Sequence, residues 1–87
     1  MEIDIVIDIG YIPDMQDPIA KDIGRQIKVW REVEVISQHE LARRSRTQQY
    51  LISAIEGAKH MPTIPVVRRI ANALGADLEI KLVAKKK

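Results

Sequence analysis

Four helix-start signals divide the middle of this chain into short segments, and that division limits its fold more than any other feature. Asp17-Pro18 joins a side-chain cap to a proline at the first helical position. Ser37-Gln38-His39-Glu40 has the form of a capping box, in which Ser37 caps the helix and Glu40 reaches back. Thr47 and Thr63 each precede a further apolar-periodic stretch. Helices are therefore predicted from Pro18 to about Glu32, and over about 38–45, about 48–57 and about 64–74. Ile19, Ile23, Ile27 and Trp30 share one face of the first, and Leu41 and Ala42 open the buried face of the second. Leu51, Ile52 and Ile55 serve the third; Ile64, Val67, Ile70, Ala71 and Leu74 serve the fourth. Gly75 suits the final stop. Gly24, inside the first helix, marks a place of close packing.

The flanks read differently. Residues 2–9 alternate, with Ile3, Ile5 and Ile7 on one side and Glu2, Asp4 and Asp8 on the other, which predicts a strand. Residues 77–83 alternate again, with Leu78, Ile80 and Leu82 on one side. The expected layout is an acidic strand and connection over 1–16, a helical domain over 17–75, and a strand with a basic tail over 76–87. With 87 residues, no Cys and no Phe, the core must be aliphatic and small, and no disulfide can staple it. Dimerisation is the natural remedy, with the terminal strands as candidate dimer or partner elements. Residues 1–22 carry a net charge of −5 and residues 23–87 a net +7, so a basic body with an acidic arm is expected. Such a body fits a polyanionic partner. No apolar run reaches the ~20 residues of a membrane span, and the acidic start does not resemble a secretory leader, so the reading is cytoplasmic.

Residues 37–56, SQHELARRSRTQQYLISAIE, set two short helices around a tight turn, and the second is rich in amides. That is a helix-turn-helix pattern. The chain here resembles the Cro/C1-repressor, or XRE, family. The resemblance runs from about Ile23 to Leu74, through Ile23-Gly24, Ile27, Trp30-Arg31, Ser37-Gln38, Leu41-Ala42, Ile52-Ser53, Ile55-Glu56, Lys59, Pro62 and Ile70-Ala71. It implies a mainly α fold, a lambda-repressor-like bundle of four short helices, here with flanking N- and C-terminal β-strands. It implies double-stranded DNA as the partner and a homodimer; the residues themselves give no expectation of a cofactor or metal.

In the docking geometry of such repressors the third helix enters the major groove by its N-terminal end. The implied base-contacting residues are Gln48, Gln49, Tyr50 and Ser53. Glutamine offers a donor and an acceptor together, which matches the edge of adenine. The implied phosphate contacts are Ser37 and Gln38 at the start of the second helix, with Arg46, Lys59 and His60. Arg43, Arg44, Arg68 and Arg69 read as solvated surface, and Trp30 as core. The resemblance also implies a structural ion pair between Arg31 and Glu56.

The sequence departs from the family where Val35, Arg46 and Ala58 replace glycines and where Ser45 replaces an apolar residue. Arg in a left-handed turn costs of order 1 kcal/mol relative to Gly. Nothing suggests catalysis. There is no Gly-rich loop after a strand and no metal-ligand spacing, and His39 lies in a capping turn. The expected function is a sequence-specific transcriptional regulator, a repressor. The alternative, on a looser resemblance to HigA- and HipB-type antitoxins, is a protein that neutralises a toxin and represses its own operon.

Overall fold

The computed structural model describes residues 17–85. The expected N-terminal strand with Ile3, Ile5 and Ile7 lies outside them. Four helices follow one another: α1 Pro18–Val33, α2 Gln38–Ser45, α3 Gln49–Glu56 and α4 Ile64–Ala73. No helix among the described residues is long and apolar enough to cross a membrane.

Three of the four starts are made as their residue types dictate. The Asp17 carboxylate accepts from the Ile19 and Ala20 amides at 2.7 and 3.3 Å. Ser37 Oγ accepts from the Glu40 amide at 3.0 Å, and Thr63 Oγ1 from the Val66 amide at 3.4 Å. Only half of the capping box forms. The Glu40 side chain turns outward to Arg43 and Arg44, which offer charged donors in place of a backbone amide. The expected cap at Thr47 is corrected as well. Helix α3 begins one residue later than expected, with Gln48 as N-cap and no side-chain bond to the helix. Thr47 is held elsewhere: its amide bonds the Ala42 carbonyl at 2.9 Å and its hydroxyl pairs with Ser45 Oγ at 2.9 Å.

All four helices close by the same device. One residue turns left-handed, and the amide after it bonds back to a carbonyl five residues earlier, as Ile36 does to Arg31, Thr47 to Ala42, Lys59 to Ala54 and Ala76 to Ala71. The left-handed residues are Val35, Arg46, Ala58 and Gly75, with φ of 56°, 59°, 58° and 72°. Only the last is a glycine. The three positions where the sequence lacks the family's glycines thus keep the glycine conformation, and each side chain bears the strain.

The core is aliphatic and joins all four helices. Ile23 and Ile27 of α1 meet Leu41 and Ala42 of α2, Ile52 and Ile55 of α3, Val67 and Ile70 of α4, and Leu74 beyond it. Trp30, Ile36, Leu51, Met61 and Leu78 pack around its edge. Helix α1 lies so close to α3 that a Cβ on Gly24 would overlap the Ile55 carbonyl oxygen and stand 3.0 Å from that of Glu56. Ser45 is fully enclosed where the family is apolar. Its hydroxyl donates to the Leu41 carbonyl at 2.7 Å, so the polar group is satisfied and the core closes around it.

Residues 76–85 form no strand, which corrects the expectation for 77–83. The alternation is still visible in burial: Ala76, Leu78 and Ile80 are half-buried, while Asp77, Glu79 and Lys81 are exposed. Leu82 and Val83 then run into solvent. An extended segment becomes a strand only when a neighbour supplies ladder hydrogen bonds, and no described segment does so here.

Candidate nucleic-acid interface

The α2–α3 unit is held from behind. Arg31, on α1, places Nε 2.7 Å from Glu56 Oε2 and Nη2 3.1 Å from Oε1, a bidentate pair. Its Nη1 donates to the Ile36 carbonyl at 2.9 Å. Both partners are sheltered, with side chains 14% and 5% exposed. The hydrogen bond to Glu56 raises the Arg31 guanidinium above its ordinary value, against the opposing pull of burial. Gln38 joins this group by donating Nε2 to Glu56 Oε1 at 3.1 Å. One carboxylate therefore ties the end of α3 to α1 and to the first residue of α2.

The opposite face of α3 is turned outward. Ile52 and Ile55 point inward and Leu51 is half-buried, which leaves Gln49, Tyr50 and Ser53 exposed beside Gln48. Tyr50 is 71% exposed, so it is no packing residue. Among the described residues, the amides of Gln48 and Gln49 and the Tyr50 hydroxyl have no hydrogen-bond partner. Because Gln48 does not cap the helix, its side chain is not committed to the fold.

The expected phosphate contacts lie at the start of α2 and in the turns before and after α3. At the start of α2, Ser37 Oγ is engaged with Glu40, and one donor of Gln38 goes to Glu56. The Gln38 and His39 backbone amides have no acceptor among the described residues, as the first turn of a helix requires. Lys59 and His60 are exposed in the loop after α3, and Arg46 is exposed in the turn before it. Sequence reading missed Arg69. Its position on α4 reads as surface, yet its Nε donates to the Ser45 carbonyl at 3.2 Å and ties α4 to the end of α2. No local pattern signals that contact, because it joins residues 24 apart in the chain and depends on how their two helices cross. Among the described residues, no group of side chains could hold a metal ion.

Residues 22–80 match a known family, described as a helix-turn-helix domain. The match spans well over half of the chain. The chain belongs to the helix-turn-helix domain family. That family is related to the XRE type, and the match begins within α1 and ends beyond α4, so it takes in α2, α3 and α4 whole and most of α1. A comparison with curated proteins gives no match. Membership points to DNA as the partner of this helix-turn-helix.

Proposed function

We propose that this helix-turn-helix protein is a sequence-specific DNA-binding transcriptional repressor that acts as a dimer. The observation that carries the reading is the exposed, uncommitted quartet Gln48, Gln49, Tyr50 and Ser53, on a helix whose other face is locked into the core. A rigid helix with free amides at its N-terminal end is what reading base edges requires. The amides at the start of α2, with Lys59, His60 and Arg46, supply backbone contacts that set its register.

Dimerisation is supported by the extended segment after α4. Its apolar Leu82 and Val83 are 75% and 59% exposed and invite a strand from another chain. A second copy would present two α3 helices to half-sites about one DNA turn apart. The same edge would receive a toxin under the antitoxin alternative.

The test is fluorescence anisotropy on duplex DNA from upstream of the gene, against a scrambled duplex, over a salt series. Selective, saturable binding is expected. Gln48→Ala and Gln49→Ala should each remove about 1–3 kcal/mol of discrimination while nonspecific binding persists. Equal binding of both duplexes by the unaltered protein would defeat the reading.

A further inference from the structure

At the far end of α2 from Gln38, the left-handed turn opens a cleft of about 330 Å³ lined by Arg44, Ser45, Arg46, Arg69, Asn72 and Ala73. Three guanidinium groups and one amide line it, and no carboxylate does. The arginines are differently engaged. Arg44 gives its Nε to Glu40 at 3.0 Å, Arg69 gives its Nε to the Ser45 carbonyl at 3.2 Å, and Arg46 has no side-chain partner among the described residues. An arginine bonded through Nε alone still holds two Nη groups, and these are the donors that embrace a phosphate.

The end of a helix normally repels anions, because its carbonyls point outward. Here those carbonyls are largely occupied. Leu41 accepts from Ser45 Oγ, Ala42 from Thr47, Arg43 from Arg46, and Ser45 from Arg69. What the cleft presents is therefore arginine and not helix dipole.

We propose that this cleft is a second phosphate site, which takes a phosphodiester of the DNA strand opposite to the one met by the start of α2. The proposal rests on the DNA-binding reading above. Its geometric basis is the length of α2. Eight residues rise about 12 Å, and the major groove is about 12 Å wide. Laid across the groove mouth, α2 would reach from one edge to the other, with bare amides at one end and the arginine cleft at the other. Arg46 lies two residues before Gln48, at most about 7 Å along the chain, so a phosphate in the cleft would border the base-reading end of α3. Substituting arginine for the family's glycine at position 46 keeps the left-handed turn and adds a donor that glycine lacks.

The experiment compares the full chain with Arg46→Gly and Asn72→Asp, on the upstream duplex and a scrambled duplex, over a salt series. Arg46→Gly removes a donor and relieves a strained turn, so a purely structural role would give a higher Tm and unaltered binding. The proposal expects a higher Tm together with weaker binding to both duplexes by the same factor, and a salt slope shallower by about one. Asn72→Asp removes no donor of the three arginines and places a carboxylate in the cleft, so it should weaken binding to both duplexes alike. Unchanged affinity and slope in both variants would overturn the cleft site and leave the DNA-binding reading standing. If the unaltered chain binds neither duplex, that reading fails, and titration with inorganic phosphate decides the cleft by NMR of the arginine Nε–H groups. Saturable shifts at Arg46 and Arg69 would then make it a site for free phosphate, and no shifts would overturn it.

Discussion

Two arginines reach from one helix to a carbonyl beside a left-handed turn, and their surroundings are opposite. Arg31 crosses from α1 to the Ile36 carbonyl, next to Val35, and meets a carboxylate there. Arg69 crosses from α4 to the Ser45 carbonyl, next to Arg46, and meets none. The first junction is dry, bidentate and closed by Gln38. The second is open and lined by two more arginines. One residue type thus bridges two elements in both places, with its charge met by a carboxylate in the first and by none in the lining of the second.

The sharpest way to break this comparison is to remove the carboxylate. Glu56→Ala leaves Arg31 sheltered and unpaired, which should cost about 3–5 kcal/mol of folding stability in urea denaturation. Arg69→Ala loses one hydrogen bond at an open site and should cost about 1 kcal/mol. Similar losses in both variants would mean that the two junctions are alike in kind.

Gly24 tests how tightly the dry junction is closed. Its absent Cβ would overlap backbone of α3, which cannot rotate away as a side chain can. Gly24→Ala should therefore cost about 1–3 kcal/mol, although alanine is the better helix former. A stabilised variant, read by Tm, would show that α1 can slide on α3 and that the ion pair does not fix their spacing.

Much of this architecture was legible in the sequence, and each exception turns on a partner that the local pattern does not name. Asp17, Ser37 and Thr63 announced their helices because a cap is a local bond between near neighbours. The extent of α2 followed from Ser37 and from the break before Thr47. The left-handed positions at 35, 46 and 58 were legible only through family resemblance, as was the meeting of Arg31 with Glu56, because valine, arginine and alanine do not advertise such a turn. Thr47 misled because Ser45, two residues before it, competes for its hydroxyl. Arg69 was missed because its partner lies 24 residues away in the chain. The segment at 77–83 has strand periodicity, but periodicity gives no partner, and none is supplied by the described residues.

The strained turns offer a gentler probe. Val35 is left-handed, β-branched and 87% exposed, so its side chain contributes little packing to offset the strain. Val35→Gly should raise stability by about 0.5–1 kcal/mol, since relief of a left-handed Cβ exceeds the added chain entropy of glycine. The Arg31 bond to Ile36 should be preserved, visible as a slowly exchanging Nη–H in NMR. Destabilisation instead would mean that Val35 packs on a neighbour that the dry junction needs.

Glu40 carries the smallest expected effect and bears on the open junction. It lies four residues before Arg44 of the cleft, and it engages Arg43 and Arg44 through hydrogen bonds. Those bonds, with Arg43 first and Arg44 second, hold its carboxyl down to about 2 from the ordinary 4.5. A depressed folded value means that the stabilisation is complete above pH 4.5 and is lost as the pH falls through about 2. In acid titrations the unaltered chain should lose stability over that window relative to Glu40→Gln, and added salt should shrink the difference, because the cluster faces water. At neutral pH, Glu40→Gln has the opposite interest. It removes a negative charge bonded to Arg44 of the cleft, so binding to any duplex should tighten slightly and its salt slope should steepen. Weaker binding would place Glu40 among the groups that hold Arg43 and Arg44 in position for DNA, and the open junction would then be organised by a carboxylate, as the dry one is.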